Sequence, residues 1–173
     1  MEFEALNSEK HNRSDFDCGV EALNLYLQRF ANQDQQRNLS KVYVLAKGND
    51  IIGYYSISAH PVIRDGLPED IPLGGYSDIP FLLLGRLAVD KRHQGQGYGD
   101  ALIFHAFQTT VDAAEKVGVL GMVVDATDDK ASAFYEGFGF RRLDGTKNRL
   151  VLPLSIISEL MSQFVLRCPA QLL

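Results

Sequence analysis

In the stretch RLAVDKRHQGQGYGDAL, Arg86 to Leu102, an apolar run of strand character meets a short basic patch, then Gly95, Gly97 and Gly99 at alternate positions, then a helical pattern. A strand that feeds a helix through such a turn constrains the chain to an α/β arrangement with bare backbone at the junction. Glycine lets the chain bend tightly and lets N–H groups approach a ligand with no Cβ in the way. Those amides add to the positive end of the following helix, so the turn suits a phosphate. A plain strand-to-helix turn has the same composition, and the segment alone leaves both readings open. No Lys-Ser/Thr follows the glycines as a P-loop requires, and no acidic ribose partner supports a dinucleotide fingerprint.

The flanking patterns extend the arrangement. FEAL is a first strand, and Val20, Leu23, Leu27 and Phe30 form the stripe of an amphipathic helix with Asp17 placed as its N-cap. KVYVLAKG and IIGYYSISAHPVI are strands joined at ND, and RDGLPEDIPLGGYSDIP is a loop. In FLLLGRLAVD, a buried strand, Gly85 marks a bulge or a close backbone approach. A helix from Gly99 to Lys116 carries Leu102, Ala106, Thr109 or Thr110, and Ala113 on one side. VLGMVVDAT returns to strand, DKASAFYEGFGF gives a short helix ending at glycine, and RLVLPLSII supplies the last strand. The order β-α-β-β-β-α-β-α-β predicts a mixed α/β fold, its sheet covered on both faces. A chain of 173 residues fits one domain, 1–173.

Cys18 and Cys168 stand far apart and outside any paired spacing, so neither a disulfide framework nor a zinc cluster is expected, and a reducing cytoplasm fits. The N-terminal residues lack the layout of a signal peptide, and no apolar run is long enough to span a membrane. A net charge of -5 argues against a protein that coats nucleic acid by overall basicity. Its distribution is uneven: Arg29, Arg37, Lys41 and Lys47 oppose only Asp34, and Arg86, Lys91 and Arg92 oppose only Asp90, while acids gather at Asp65 to Asp78 and Asp112 to Glu136. A locally basic face and a solvated mixed surface both fit this pattern.

The glycine turn resembles that of the GNAT superfamily of acyl-CoA-dependent N-acyltransferases. Its motif Gln/Arg-x-x-Gly-x-Gly/Ala matches Gln94, Gly97 and Gly99. Downstream, the family's Asn-x-x-Ala-x-x-Phe/Leu-Tyr-x-x-x-Gly-Phe matches Ala131, Phe134, Tyr135, Gly139 and Phe140, with Asp128 in place of the asparagine. The resemblance implies a six- to seven-stranded sheet splayed between strands 4 and 5. It implies acetyl-CoA as co-substrate, its pantetheine along the backbone of Leu87, Ala88 and Val89 and its pyrophosphate on the amides of Gln94, Gly95, Gln96, Gly97, Tyr98 and Gly99. No metal is implied. Tyr135 takes the role of general acid to the sulfur, against a packing role beside Phe134 and Phe138. Lys91 and Arg92 either add charge near the phosphates, face the second substrate, or are exposed turn residues.

Acyl transfer to an amine needs a neutral nucleophile, a polarised carbonyl and a proton for the thiolate. The Val89 N–H is placed to polarise the carbonyl. No general base stands out: Asp125 equally suits a rim position, and His93 and His105 read as a loop residue and a helix-surface residue. The lack suits an α-amine, of which roughly a tenth is neutral at pH 7 for a pKa near ~8, against about one part in a few thousand for lysine near ~10.4.

The segment from His11 to Ser58, with Phe16-Asp17-Cys18-Gly19, Leu23-Asn24 and Tyr26-Leu27, resembles the GNAT-type toxins of bacterial toxin-antitoxin pairs. That likeness implies acetylation of the α-amine of aminoacyl-tRNA, a ribbon-helix-helix antitoxin, and a homodimer. Phe16 and Cys18 equally suit core positions that fix the first helix. Arg37, Lys41, Lys91 and Arg92 are the candidate contacts to the tRNA phosphates, which would position the acceptor stem. The alternatives are a GNAT enzyme acetylating a protein N-terminus or a small-molecule amine, and a non-catalytic acyl-CoA-binding regulatory module.

Overall fold

The computed structural model of the protein describes residues 1–71 and 73–167, the side chains of 165–167 excepted, so Cys168 lies outside the described residues. Seven strands form a mixed sheet in the order β1-β2-β3-β4-β5-β7-β6, with β4 and β5 parallel. These are β1 (Glu2–Ala5), β2 (Lys41–Lys47), β3 (Asp50–Ile63), β4 (Asp78–Val89), β5 (Gly121–Asp125), β6 (Arg141–Arg142) and β7 (Arg149–Pro153). The helices are α1 (Glu21–Leu25), α2 (Ala31–Gln36), α3 (Tyr98–Ala114), α4 (Asp129–Glu136) and α5 (Leu154–Arg167). The chain divides into two compact units: Met1–Ser58 with Leu84–Ala106, and Ala59–Leu83 with Phe107–Leu173.

In the first unit β1 pairs antiparallel with β2, and β2 with β3 through a turn at Gly48 and Asn49 in which Gly48 takes φ 62°. The core joins Phe16, Tyr26, Leu27, Val42, Val44, Tyr54 and Ala88. The expected first helix differs in phase. A π-helical turn, Tyr26–Phe30, lies between α1 and α2, and its extra residue per turn brings Tyr26, Leu27 and Ala31 inward. Val20 and Phe30, expected on the buried stripe, are instead 51% and 47% exposed. Asp17 is not the N-cap either. That position falls to Val20, which makes no side-chain cap, while Asp17 Oδ1 accepts from the Gly19 amide and from Asn24 Nδ2. Gly85 marks a close approach, since a Cβ there would lie 3.1 Å from Ser56 Oγ.

In the second unit β7 pairs with both β5 and β6, and Val62, Ile79, Phe81, Val123, Leu143 and Val151 make the core. Gly121 admits no side chain, because a Cβ would fall 2.2 Å from the Leu152 carbonyl oxygen. The expected last strand, RLVLPLSII, is half right. Its ladder ends at Pro153, and the chain turns into α5 with the Leu154 amide bonded to Leu120 O. Proline has no N–H to extend a ladder and its φ suits a helix start. Strand β6, two exposed arginines long, has no apolar alternation to announce it. Among the described residues no helix is long and apolar enough to cross a membrane.

Candidate active site

Strand β4 ends at Val89 and the glycine turn follows within the first unit, by way of a short 3-10 turn, Lys91–His93. Gly95 and Gly97 take φ 74° and 82°, the left-handed region that side chains disfavour. Nothing lies within 4 Å of a Cβ built on either, so the turn faces open space. Tyr98 opens α3, with Gly99 in its first turn. The first amides of a helix have no intrahelical partner, so the bare turn and the helix start present N–H donors together. This is a cradle of the kind an oxyanion of a pyrophosphate fits.

The turn is held by a buried carboxylate that sequence reasoning missed. The Asp90 side chain has no exposed surface. It accepts from the Arg92 amide at 2.9 Å, from Arg92 Nε and Nη2 at 2.8 Å each, and from the Asp17 amide at 3.1 Å. The Arg92 guanidinium, with these backbone bonds, holds the Asp90 carboxyl down to about 2 against burial that would raise it. The Lys91 amide donates to Asp17 O, and Lys91 Nζ pairs with Asp17 Oδ2. That ammonium, with the Gly19 amide and Asn24, brings the Asp17 carboxyl to about 2 as well. Gln94 donates from Nε2 to Cys18 O and to Val89 O, both at 2.9 Å, so it braces the turn against the strand end. Phe16-Asp17-Cys18-Gly19 is thus a bracket: Phe16 anchors it in the core, and Asp17 and Cys18 hold the turn.

Ala88 is buried, with Leu87 and Val89 half-buried on either side of it. Gly53 of β3 lies behind them, where a Cβ would strike the Ala88 carbonyl oxygen at 2.9 Å. Leu87 to Val89, Lys91, Arg92 and Gln94 to Gly99 therefore belong to one unit. Arg37 caps the end of α2 and Lys41 opens β2, both exposed, also in that unit. Lys91 and Arg92 differ from these two in being tied to carboxylates.

Tyr135 belongs to the second unit, in α4. It is 9% exposed and meets Phe134 and Phe140 edge-on at 5.3 and 5.5 Å. Burial pushes its phenol up to about 12, so it carries its proton at neutral pH. Asp128 caps α4, accepting from the Ala131 amide at 2.7 Å, a bond asparagine would make equally well. Asp125 holds Arg149 through two bonds of 2.7 and 2.8 Å, and that guanidinium lowers its pKa. His93 sits in the 3-10 turn against Tyr98. His105 is not a helix-surface residue: its ring stacks on Phe3 at 4.1 Å, and Nδ1 lies 2.9 Å from the Tyr55 hydroxyl. No cluster of three or more His, Cys, Asp or Glu suited to a metal occurs among the described residues.

This combination of strand, open glycine turn and helix, with the downstream Tyr135 helix, defines an acetyltransferase fold. Residues 38–142 match the acetyltransferase (GNAT) domain, and the chain belongs to that family. It is 30% identical over 133 residues to a tRNA-acetylating toxin of Mycobacterium tuberculosis, spanning 77% of this chain and 80% of that one. The structure of AtaT complexed with acetyl-methionyl-tRNAfMet superposes with a TM-score of 0.83 at 34% identity, over 92% of this chain and 98% of that one. A tyrosine-to-phenylalanine mutant of AtaT, bound to the C-terminus of the antitoxin AtaR and to acetyl-CoA, gives a TM-score of 0.81 at 32% identity, over 94% and 98%.

Proposed function

We propose that the protein is an acetyl-CoA-dependent N-acetyltransferase that acetylates the α-amine of aminoacyl-tRNA and so blocks translation, a toxin in one domain of residues 1–173. The observation that carries this reading is the open turn in which Gly95 and Gly97 expose backbone amides at the start of α3. The pyrophosphate rests on the amides of Gln94 to Gly99 and the pantetheine runs along Leu87 to Val89. The Val89 N–H polarises the thioester carbonyl. The neutral amine attacks that carbon; the C–N bond forms, the C–S bond breaks, the amine proton passes to water, and Tyr135 protonates the departing thiolate. Tyr135 starts the cycle protonated, as a general acid must.

Solved structures of relatives with an acetylated aminoacyl-tRNA and with an antitoxin support tRNA as acceptor and an antitoxin as partner, which the toxin resemblance makes one of the ribbon-helix-helix class. A homodimer in the cytoplasm completes the reading. One observation favours the alternative acceptor, a small amine or a protein N-terminus: Lys91 and Arg92 are already committed to Asp17 and Asp90, so two of the four candidate phosphate contacts are structural. Incubation with labelled acetyl-CoA and total charged tRNA decides. Label on an aminoacyl ester is expected; label on free amines or peptides alone overturns the tRNA reading.

A further inference from the structure

Arg86 is a cation of β4 to which the acetyl-transfer chemistry assigns no task. It precedes Leu87, so it adjoins the three residues whose backbone would carry the thioester. In the alternation of the strand it shares the face of Ala88, which packs in the core with Tyr26 and Tyr54. The π-helical turn brings Tyr26 inward beneath it, and the Arg86 guanidinium lies over the Tyr26 ring, 3.6 Å from the centroid. Tyr26 is itself fixed, its hydroxyl 3.2 Å from Ser40 Oγ and its ring stacked with Tyr54 at 6.3 Å.

Arg92 and Arg149 each hold a carboxylate, whereas no carboxylate forms an ion pair with Arg86 among the described residues. A guanidinium over an aromatic face keeps the N–H groups at its own edge free to donate, a fork that matches a planar or tetrahedral oxyanion. Half-buried, it gains most from a partner that brings negative charge and two acceptor oxygens. The α-carboxyl of an aminoacyl ester is esterified and carries no charge. The anion nearest its amine is the phosphodiester that joins the terminal nucleoside to the rest of the acceptor strand.

We propose that Arg86, held over the Tyr26 ring, binds that 3′-terminal phosphodiester and so sets the distance between the acceptor amine and the thioester. The assignment rests on the aminoacyl-tRNA reading and names the contact by which the acceptor end is held. It differs from surface lysines that attract tRNA at long range, because a fork contact fixes position.

The test compares two acceptors with labelled acetyl-CoA: charged tRNA, and the phosphate-free 3′-O-aminoacyl adenosine of whichever amino acid the wild type labels. Arg86→Gln is expected to raise KM for charged tRNA about 10- to 100-fold with kcat held. The slope of log KM against log salt should flatten by about 0.7 to 0.9, one phosphate contact. On the adenosine ester, kcat/KM should not change. Equal losses on both acceptors would make Arg86 a packing strut for Tyr26, and unchanged kinetics on both would remove it from the site; either overturns the proposal. Arg86→Lys keeps the charge and loses the fork, so it should fall between wild type and glutamine on tRNA alone, and it carries the comparison if the glutamine variant does not fold. A wild type that labels small amines but no charged tRNA overturns the underlying reading and the phosphate assignment with it, a result visible before any variant is made.

Discussion

Asp90→Asn tests the claim that a buried carboxylate holds the glycine turn. Its side chain is fully buried and its carboxyl sits at about 2 where the ordinary value is 3.8. At 1.36 kcal/mol per unit, that difference amounts to at most about 2 kcal/mol of stability at neutral pH. The half-exposed Arg92 trims it by solvent screening. Asparagine retains one acceptor oxygen but turns an NH2 group toward the donors of Arg92 or the Asp17 amide, so lost charge and misplaced donors act together. The expected cost is about 2 kcal/mol at pH 7, seen as a fall in Tm of roughly 4–8 °C for a chain of this size. Because the folded pKa is depressed, the charged-state stabilisation is complete above the unfolded value and disappears as pH falls toward the folded one. About half should be gone by pH 3. Urea titrations of wild type and variant at pH 7 and pH 3 measure this. A variant as stable as wild type at pH 7, or a gap that does not narrow by pH 3, would refute the reasoning.

Gly97→Asp combines a side chain at φ 82° with a negative charge facing the pyrophosphate, so acetyl-CoA binding should vanish in calorimetry while the chain stays folded; unchanged affinity would place the cofactor elsewhere. Tyr135→Phe retains the ring among Phe134 and Phe140 and should lower turnover about 10²- to 10⁴-fold with acetyl-CoA affinity intact, relieving growth arrest in cells without antitoxin; wild-type turnover would assign Tyr135 to packing. Lys41→Glu combined with Arg37→Glu touches cations without carboxylate partners among the described residues, unlike Arg92, whose reversal would set a second carboxylate beside Asp90. This pair should raise KM for charged tRNA and weaken the salt dependence of the wild type, and a flat wild-type salt response would favour a small-amine acceptor.

The elements legible in the sequence are those whose own residues carry the pattern. Strands β2 to β5 show as apolar runs, and the glycine turn shows because φ 74° and 82° call for glycine at Gly95 and Gly97. Helix α4 was visible from its own C-terminal glycine. What stayed hidden depends on partners distant in the chain. Asp17 and Asp90 lie 73 residues apart, and no periodicity links them, although an acid directly after a buried strand with arginine two residues on was an available hint. His105 looked like a surface position until Phe3 and Tyr55 closed over it. The π-helical turn escaped because its phase shift is a tertiary choice: the inward set Tyr26, Leu27 and Ala31 beats the α-helical stripe that would have buried Phe30. Helix α5 was concealed by apolar residues continuous with β7, where only Pro153 marked the switch.

The engaged state of the titratable groups bears directly on the acceptor. Asp90 is tied to Arg92, Asp17 to Lys91, Asp125 to Arg149, and His105 to Tyr55. His11 Nδ1 accepts the Asn7 amide, and its buried Nε2 lies 3.2 Å from Glu4 Oε1 without completing a hydrogen bond. A carboxylate held by a guanidinium, with its pKa lowered, is a poor proton acceptor near neutrality, because the same bonds that stabilise its charge weaken its basicity. An enzyme furnished in this way favours acceptors that shed their proton to water unaided. Lysine side chains, neutral in about one part in a few thousand at pH 7, are poorly served, whereas α-amines supply neutral nucleophile at a useful fraction. Among α-amines, the 3′ end of a charged tRNA also offers a phosphate to Arg86, with which no carboxylate forms an ion pair among the described residues, so the engaged carboxylates and the Arg86 proposal favour the same acceptor.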